Sequence, residues 1–173
     1  MAASQTLISA LQLRPALAED EPWLFELFAA DKRAEFAACG LPDEQAESIV
    51  TMQYRGRAFT YSQQYPEAED FILLDDHGNP AGRLLVNRAQ GCWRIVDIAV
   101  TPSQRNKGLA TAAIKDCQAR SAECGASLEL SVSPANPARA LYEGLGFRAA
   151  GGTALAIEMV WMAKDSSSTK RRM

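Results

Sequence analysis

The feature that most restricts the fold lies at residues 100–117, VTPSQRNKGLATAAIKDC. It begins as the end of the apolar run RIVDIAV and finishes with helical periodicity. Between the two sits a short loop carrying Arg105, Lys107 and Gly108, followed by the small Ala110. Such a loop sets the start of a helix beside the end of a strand. A helix start offers unpaired N–H groups and the positive end of the macrodipole, so it attracts anions. Gly108 lets the backbone approach a phosphate closely, and Ala110 keeps the first turn uncluttered. Arg105 and Lys107 add charge on that side. Two readings stand open on the loop alone: a pyrophosphate cradle, or a capped cationic surface loop. The spacing is neither G-x-x-x-x-G-K-[ST] nor G-x-G-x-x-G, and no acidic ribose-binding residue follows it. Nucleotide hydrolysis and dinucleotide redox chemistry therefore fit poorly.

The flanking patterns predict the rest of the domain. LQLRPA alternates and reads as a short first strand. EDEPWLFELFAADKRAEFAAC is a helix with acids and Pro22 at its start, and with Trp23, Leu24, Leu27 and Phe28 on one face. A second helix runs from Asp43, expected as its N-cap, to Pro66, with Gly56 weakening its middle. DFILLDD, PAGRLLVNR and GCWRIVDIAVTP are three strands in antiparallel sequence, the first turn lying at His77, Gly78 and Asn79. A helix over 107–123, the strand ASLELSV, the short helix NPARALYEGLG and two final strands complete the order. This predicts a mixed α/β domain over residues 1–163, not a doubly wound sheet. The polar tail 164–173 is expected to be disordered.

Composition narrows the function. With 47% hydrophobic and 23% charged residues the chain is an ordinary globular protein. It has no apolar window of membrane-span length and no signal-peptide pattern, so no membrane partner and a cytoplasmic location are expected. Its four cysteines include no C-x-x-C pair, and His77 is the only histidine, so no metal site is expected. Cys117 and Cys124 are read as packed thiols, and His77 as a solvated turn residue. The net charge of -3 argues against nucleic acid. Residues 1–70 carry 12 acids and 5 bases, which favours a cationic partner.

The loop and a second segment together carry a resemblance. IAVTPSQRNKGLA resembles motif A of the GNAT superfamily of N-acetyltransferases, Arg/Gln-x-x-Gly-x-Gly/Ala, with Arg105, Gly108 and Ala110 in the defining places. SPANPARALYEGLGF resembles motif B, with Asn136, Leu141, Tyr142, Gly146 and Phe147 in its places. The pair covers about fifty residues in the expected order. The resemblance implies a GNAT-like, mostly antiparallel central sheet flanked by helices, whose strands RIVDIAV and LELSV splay apart at their C-terminal ends. It implies acetyl-CoA as cosubstrate. Backbone groups of Ile98, Ala99 and Val100 would pair with the pantetheine arm. Arg105 and the amides of Asn106, Lys107, Gly108, Leu109, Ala110 and Thr111 would take the pyrophosphate, and Asn136 would bond the arm.

The resemblance also implies that Tyr142 is the general acid that protonates the departing thiolate; on residue type alone it reads as a tyrosine packed on the sheet and bonded to a carbonyl. The base stays open among Glu129, Glu158, Asp97 and water, with Asp97 read as a structural carboxylate and Ser131 standing where some relatives carry a glutamate. Gln53, Arg57, Thr60, Tyr61 and Gln64 form a stripe that either lines an acceptor pocket or is solvated. Residues 149–156, AAGGTALA, would form a lip over the acceptor. The expected activity is direct acetyl transfer to a primary amine on a small molecule or protein N-terminus, with a homodimer expected from exposed final strands. A non-catalytic acyl-CoA sensor, or an acyltransferase using another acyl chain or a hydroxyl acceptor, are the alternatives.

Overall fold

Alternating apolar residues and short turns build the middle of the sheet. In the computed structural model, which describes residues 11–163, β2 (Glu69–Leu74), β3 (Pro80–Ala89) and β4 (Cys92–Val100) pair antiparallel in succession. The Asp75 carboxylate closes the first turn by accepting from the N–H groups of His77 and Asn79, both at 2.9 Å. β1 (Gln12–Pro15) adds antiparallel to β2. β5 (Ser127–Val132) lies parallel to β4, because α3 (Leu109–Glu123) crosses over between them. β7 (Ile157–Trp161) and β6 (Arg148–Gly152) extend the sheet antiparallel, giving the order β1-β2-β3-β4-β5-β7-β6. This is the mixed, mostly antiparallel α/β sheet the pattern predicts. The expected tail at 164–173 lies outside the described residues.

One face of the sheet carries the main core. Leu84, Val86, Ile95, Leu128, Leu130 and Met159 pack with Ala113, Ile114 and Cys117 of α3, and with Tyr142 and Phe147 around α4 (Ala138–Gly144). The apolar positions of α3 recur three or four apart, which puts them on one side of the helix. Truncating a fully buried member such as Leu128 would cost about 2–5 kcal/mol.

The other face carries α1 (Glu21–Ala38) and α2 (Asp43–Gln64). Leu24, Leu27, Ala46 and Val50 are buried there, and Tyr54 meets Phe25 and Phe28 at centroid distances of 5.3 and 5.5 Å. Arg33 of α1 bonds Glu26 on its own helix and Glu47 on α2, fixing the pair. Among the described residues, no helix is long and apolar enough to cross a membrane.

Three local expectations differ. Asp43 is the first helical residue of α2, with Pro42 preceding it and no side-chain cap bond. α3 starts at Leu109, not at 107, because Gly108 takes a left-handed conformation at φ 87°. Cys117 is buried, but Cys124 is exposed at the helix end, so only one of the two is packed.

Candidate active site

The site begins where two parallel strands separate. β4 and β5 are paired from Cys92↔Ser127 to Ile95↔Leu130 and no further, although β4 runs on to Val100. A bulge drives the change. Leu85 of β3 pairs with Asp97 and Val86 with Ile95, so Val96 is an extra residue. Past that point the backbone of Val96 to Ala99 faces a groove of about 440 Å³, walled opposite by Leu130 to Ser133. A second lobe of about 600 Å³ continues from Val100 along the loop to the start of α3. The two lobes share Asp31 and Asn136.

The second lobe has the character of an anion cradle. The N–H groups of Leu109, Ala110 and Thr111 belong to the first turn of α3, where no preceding turn supplies acceptors, while Ala112 N–H bonds Gly108 O at 2.9 Å. All three residues line the lobe with Arg105, Asn106 and Gly108. Gly108 is left-handed, and the space where a Cβ would stand is open. Asn106 is also left-handed, at φ 60°. Lys107 is exposed and is not part of the lining. Arg105 is otherwise engaged: its guanidinium donates to Val100 O at 3.2 Å and to the Asp31 carboxylate at 2.7 Å. These residues fit a pyrophosphate by their donors and by the open backbone at Gly108.

Asn136 stands one residue before the Pro137 that opens α4, and its Oδ1 accepts from Ala138 N–H at 2.9 Å, which leaves its amide N–H groups to donate. Tyr142 follows on α4, lines the first lobe and is 8% exposed. Its ring meets Phe147 edge-on at 6.1 Å. Burial first, and the Asp97 charge second, raise its pKa above the ordinary phenol value. The phenol is therefore held in its protonated form at neutral pH.

Charged and aromatic residues of α1, α2, β3 and β4 form the opposite wall. Arg57 lies between the rings of Phe28 and Tyr61, at 5.5 and 5.2 Å from their centroids. It donates to the Tyr61 hydroxyl at 2.8 Å and to Asp97. Arg83 also donates to Asp97, at 3.2 Å, and grips Asp70 with two bonds of 2.9 and 2.7 Å. A side pocket between α1 and α2 is lined by Leu24, Phe28, Tyr54 and Tyr61 over this charged floor. Of the expected stripe, Arg57 and Tyr61 reach the site, whereas Gln53, Thr60 and Gln64 are exposed. Glu158 accepts from Arg94 at 2.7 Å, and Glu129 lies 3.6 Å from the same guanidinium. Residues 149–156 form the hairpin of the edge strand and line neither lobe. The sequence reading missed Asp31, Tyr54 and Arg83. Arg83 joins the site through its register opposite Ala99, a signal that exists only once the bulge is placed.

Comparison with known proteins agrees with this geometry. The sequence model of the acetyltransferase (GNAT) family matches residues 21–147. No significant match is found among functionally curated proteins. Many solved structures share the fold, among them the following three. The PaiA N-acetyltransferase of Thermoplasma acidophilum, in complex with coenzyme A, aligns at a TM-score of 0.67 and 15% identity over 90% of this chain and 100% of that one. The ribosomal-protein-S18-alanine N-acetyltransferase of Escherichia coli aligns at 0.59 and 20% over 90% and 97%. A GNAT family acetyltransferase of Elizabethkingia anophelis with acetyl-CoA bound aligns at 0.58 and 15% over 90% and 99%. With the family match spanning both motifs and the separated strands between them, this chain belongs to the GNAT family of acetyltransferases.

Proposed function

We propose that the protein is an acetyl-CoA-dependent N-acetyltransferase that passes the acetyl group directly to a primary amine. The observation that carries this reading is the pair of adjoining lobes: a donor-rich cradle at the start of α3, meeting at Asn136 a groove whose wall holds the protonated Tyr142. Acetyl-CoA supplies the activated acyl group as a thioester. The amides of Asn106 and of Gly108 to Thr111 hold the pyrophosphate, and Lys107 contributes charge at longer range. The backbone of Ile98, Ala99 and Val100 and the amide of Asn136 hold the pantetheine arm as an added strand would be held. Tyr142 delivers its proton to the departing sulfur. No cysteine lines either lobe, which favours direct transfer over a covalent acetyl-enzyme. Asp97, Glu129 and Glu158 are all engaged by guanidiniums, which favours loss of the amine proton to water.

Thiol release from acetyl-CoA across a panel of primary amines tests the activity, and Tyr142→Phe tests the mechanism. The variant removes one oxygen from a side chain packed by its ring, so acetyl-CoA affinity should hold while kcat falls ~10²–10⁴-fold. A near-normal kcat with normal binding would remove Tyr142 from the chemistry. Failure of every amine to release thiol, with intact acetyl-CoA binding, would favour the sensor reading.

A further inference from the structure

One contact crosses the groove where the two lobes meet. Arg105, in the loop before α3, bonds Asp31 on α1, and its Nε also covers the carbonyl of Val100. Asp31 lines both lobes, Arg105 only the cradle. Both side chains are well exposed, at 42% and 61%, so the pair is a weak bond in high dielectric, easily exchanged for a better partner. A pyrophosphate in the cradle is such a partner, since it carries more charge than one carboxylate and accepts two parallel N–H bonds from a guanidinium. The Val100 carbonyl is likewise a group that the proposed pantetheine contact needs uncovered.

We infer that the Asp31–Arg105 pair is a latch that a phosphate-bearing cosubstrate opens, and that the Asp31 carboxylate so released is a specificity contact for an acceptor carrying a second, protonated amine. The inference rests on the proposed cradle and acceptor sides of the groove. In the latched form Arg105 neutralises Asp31. Once Arg105 turns to phosphate, Asp31 stands as an uncompensated anion at the rim of the acceptor lobe. Of the other carboxylates lining that lobe, Asp97 stays paired with Arg57 and Arg83, while Glu35 sits with Lys32 at 2.8 Å in an exposed pair beside Asp31. The amine that attacks must be neutral, so the ammonium that Asp31 selects is a different centre of the same acceptor. Cosubstrate binding and acceptor binding are then coupled, and by linkage the coupling is reciprocal.

Calorimetry on the full chain tests this without turnover, using CoA and 1,4-diaminobutane as probes at low ionic strength. Asp31→Asn removes Arg105's competing partner, so CoA should bind about two- to fivefold tighter than to wild type. In wild type, saturating CoA should strengthen diamine binding by about fivefold or more. Asp31→Asn should abolish that gain, and Asp31→Glu should keep it. Unchanged or weaker CoA binding in Asp31→Asn would overturn the latch. An undiminished gain in Asp31→Asn would overturn the acceptor contact. Thiol release is read separately: if both binding signatures appear but no amine is acetylated, the transfer reading fails and the latch stands.

Discussion

Replacing Asp97 by asparagine separates a structural carboxylate from a catalytic one. Its side chain is 10% exposed and accepts from Arg57 on one oxygen and Arg83 on the other. Removing one member of a buried ionic cluster typically costs 3–5 kcal/mol, because the partner charges are left uncompensated. Here the cost is softened. Arg83 keeps both bonds to Asp70, Arg57 keeps its bond to Tyr61, and Arg57 is exposed enough for water to reach it. The low end, about 3 kcal/mol, is therefore expected. For a chain of this size that is a fall in Tm of about 6–12 °C. Thermal melts followed by circular dichroism measure it. A variant that also carries Arg57→Met should lose less than the sum of the two single changes, since both remove the same bond. If Asp97 only holds Arg57 in place, kcat should fall less than about tenfold. A melt within about 2 °C of wild type, combined with a kcat loss beyond ~10²-fold, would refute this reasoning and make Asp97 the proton acceptor.

Three further outcomes are expected. Gly108→Glu forces a side chain into a left-handed position, costing about 1–2 kcal/mol of stability, and sets a carboxylate in the cradle; acetyl-CoA binding by calorimetry should be lost, and normal affinity in the folded variant would refute the cradle. Arg14 and the Leu17 N–H hold the Asp20 carboxyl down to about 2, below its unfolded value near 4. Its stabilisation should thus be complete above pH 4 and vanish as the pH falls through 2, which urea midpoints of wild type and Asp20→Asn would show as converging curves. A thiol reagent should modify Cys39 and Cys124 rapidly, while Cys117, buried with its pKa pushed up to about 12, should react only on unfolding.

The proposed cofactor side was legible in the sequence because it is local. Arg105, Gly108 and Ala110 lie within one strand–loop–helix unit, and Asn136 and Tyr142 within another. Chain order alone brings both to the separated ends of β4 and β5. The proposed acceptor side was not legible in that way. Its groups come from α1, α2, β3 and β4, far apart in sequence: Asp31 meets Arg105, and Arg57 meets Asp97. No periodicity within α1 distinguishes Asp31 from other surface acids, since its contact is with a loop 74 residues away. Tyr54 and Arg83 were hidden for the same reason.

The bulge at Val96 explains why strand alternation alone misplaces the groups around it. Strict alternation puts Trp93, Ile95, Asp97 and Ala99 on one face of β4. That face holds the buried Trp93 and Ile95, so Asp97 would be a carboxylate facing the α3 core with no cationic partner there. The extra residue reverses the parity. Ile98, not Asp97, joins the core cluster through its register with Leu84, and Asp97 pairs with Leu85 on the face covered by α1 and α2. There it meets Arg57 and Arg83, and the charge is satisfied. The same reversal lets β4 bend away from β5, whose pairing stops at Ile95, the residue just before Val96. One inserted residue thus opens the groove and supplies the ionic floor beneath its α1–α2 side. Neither is visible in a pattern of hydrophobic residues, because a bulge is recognised from the partner strand's register and not from the strand's own sequence.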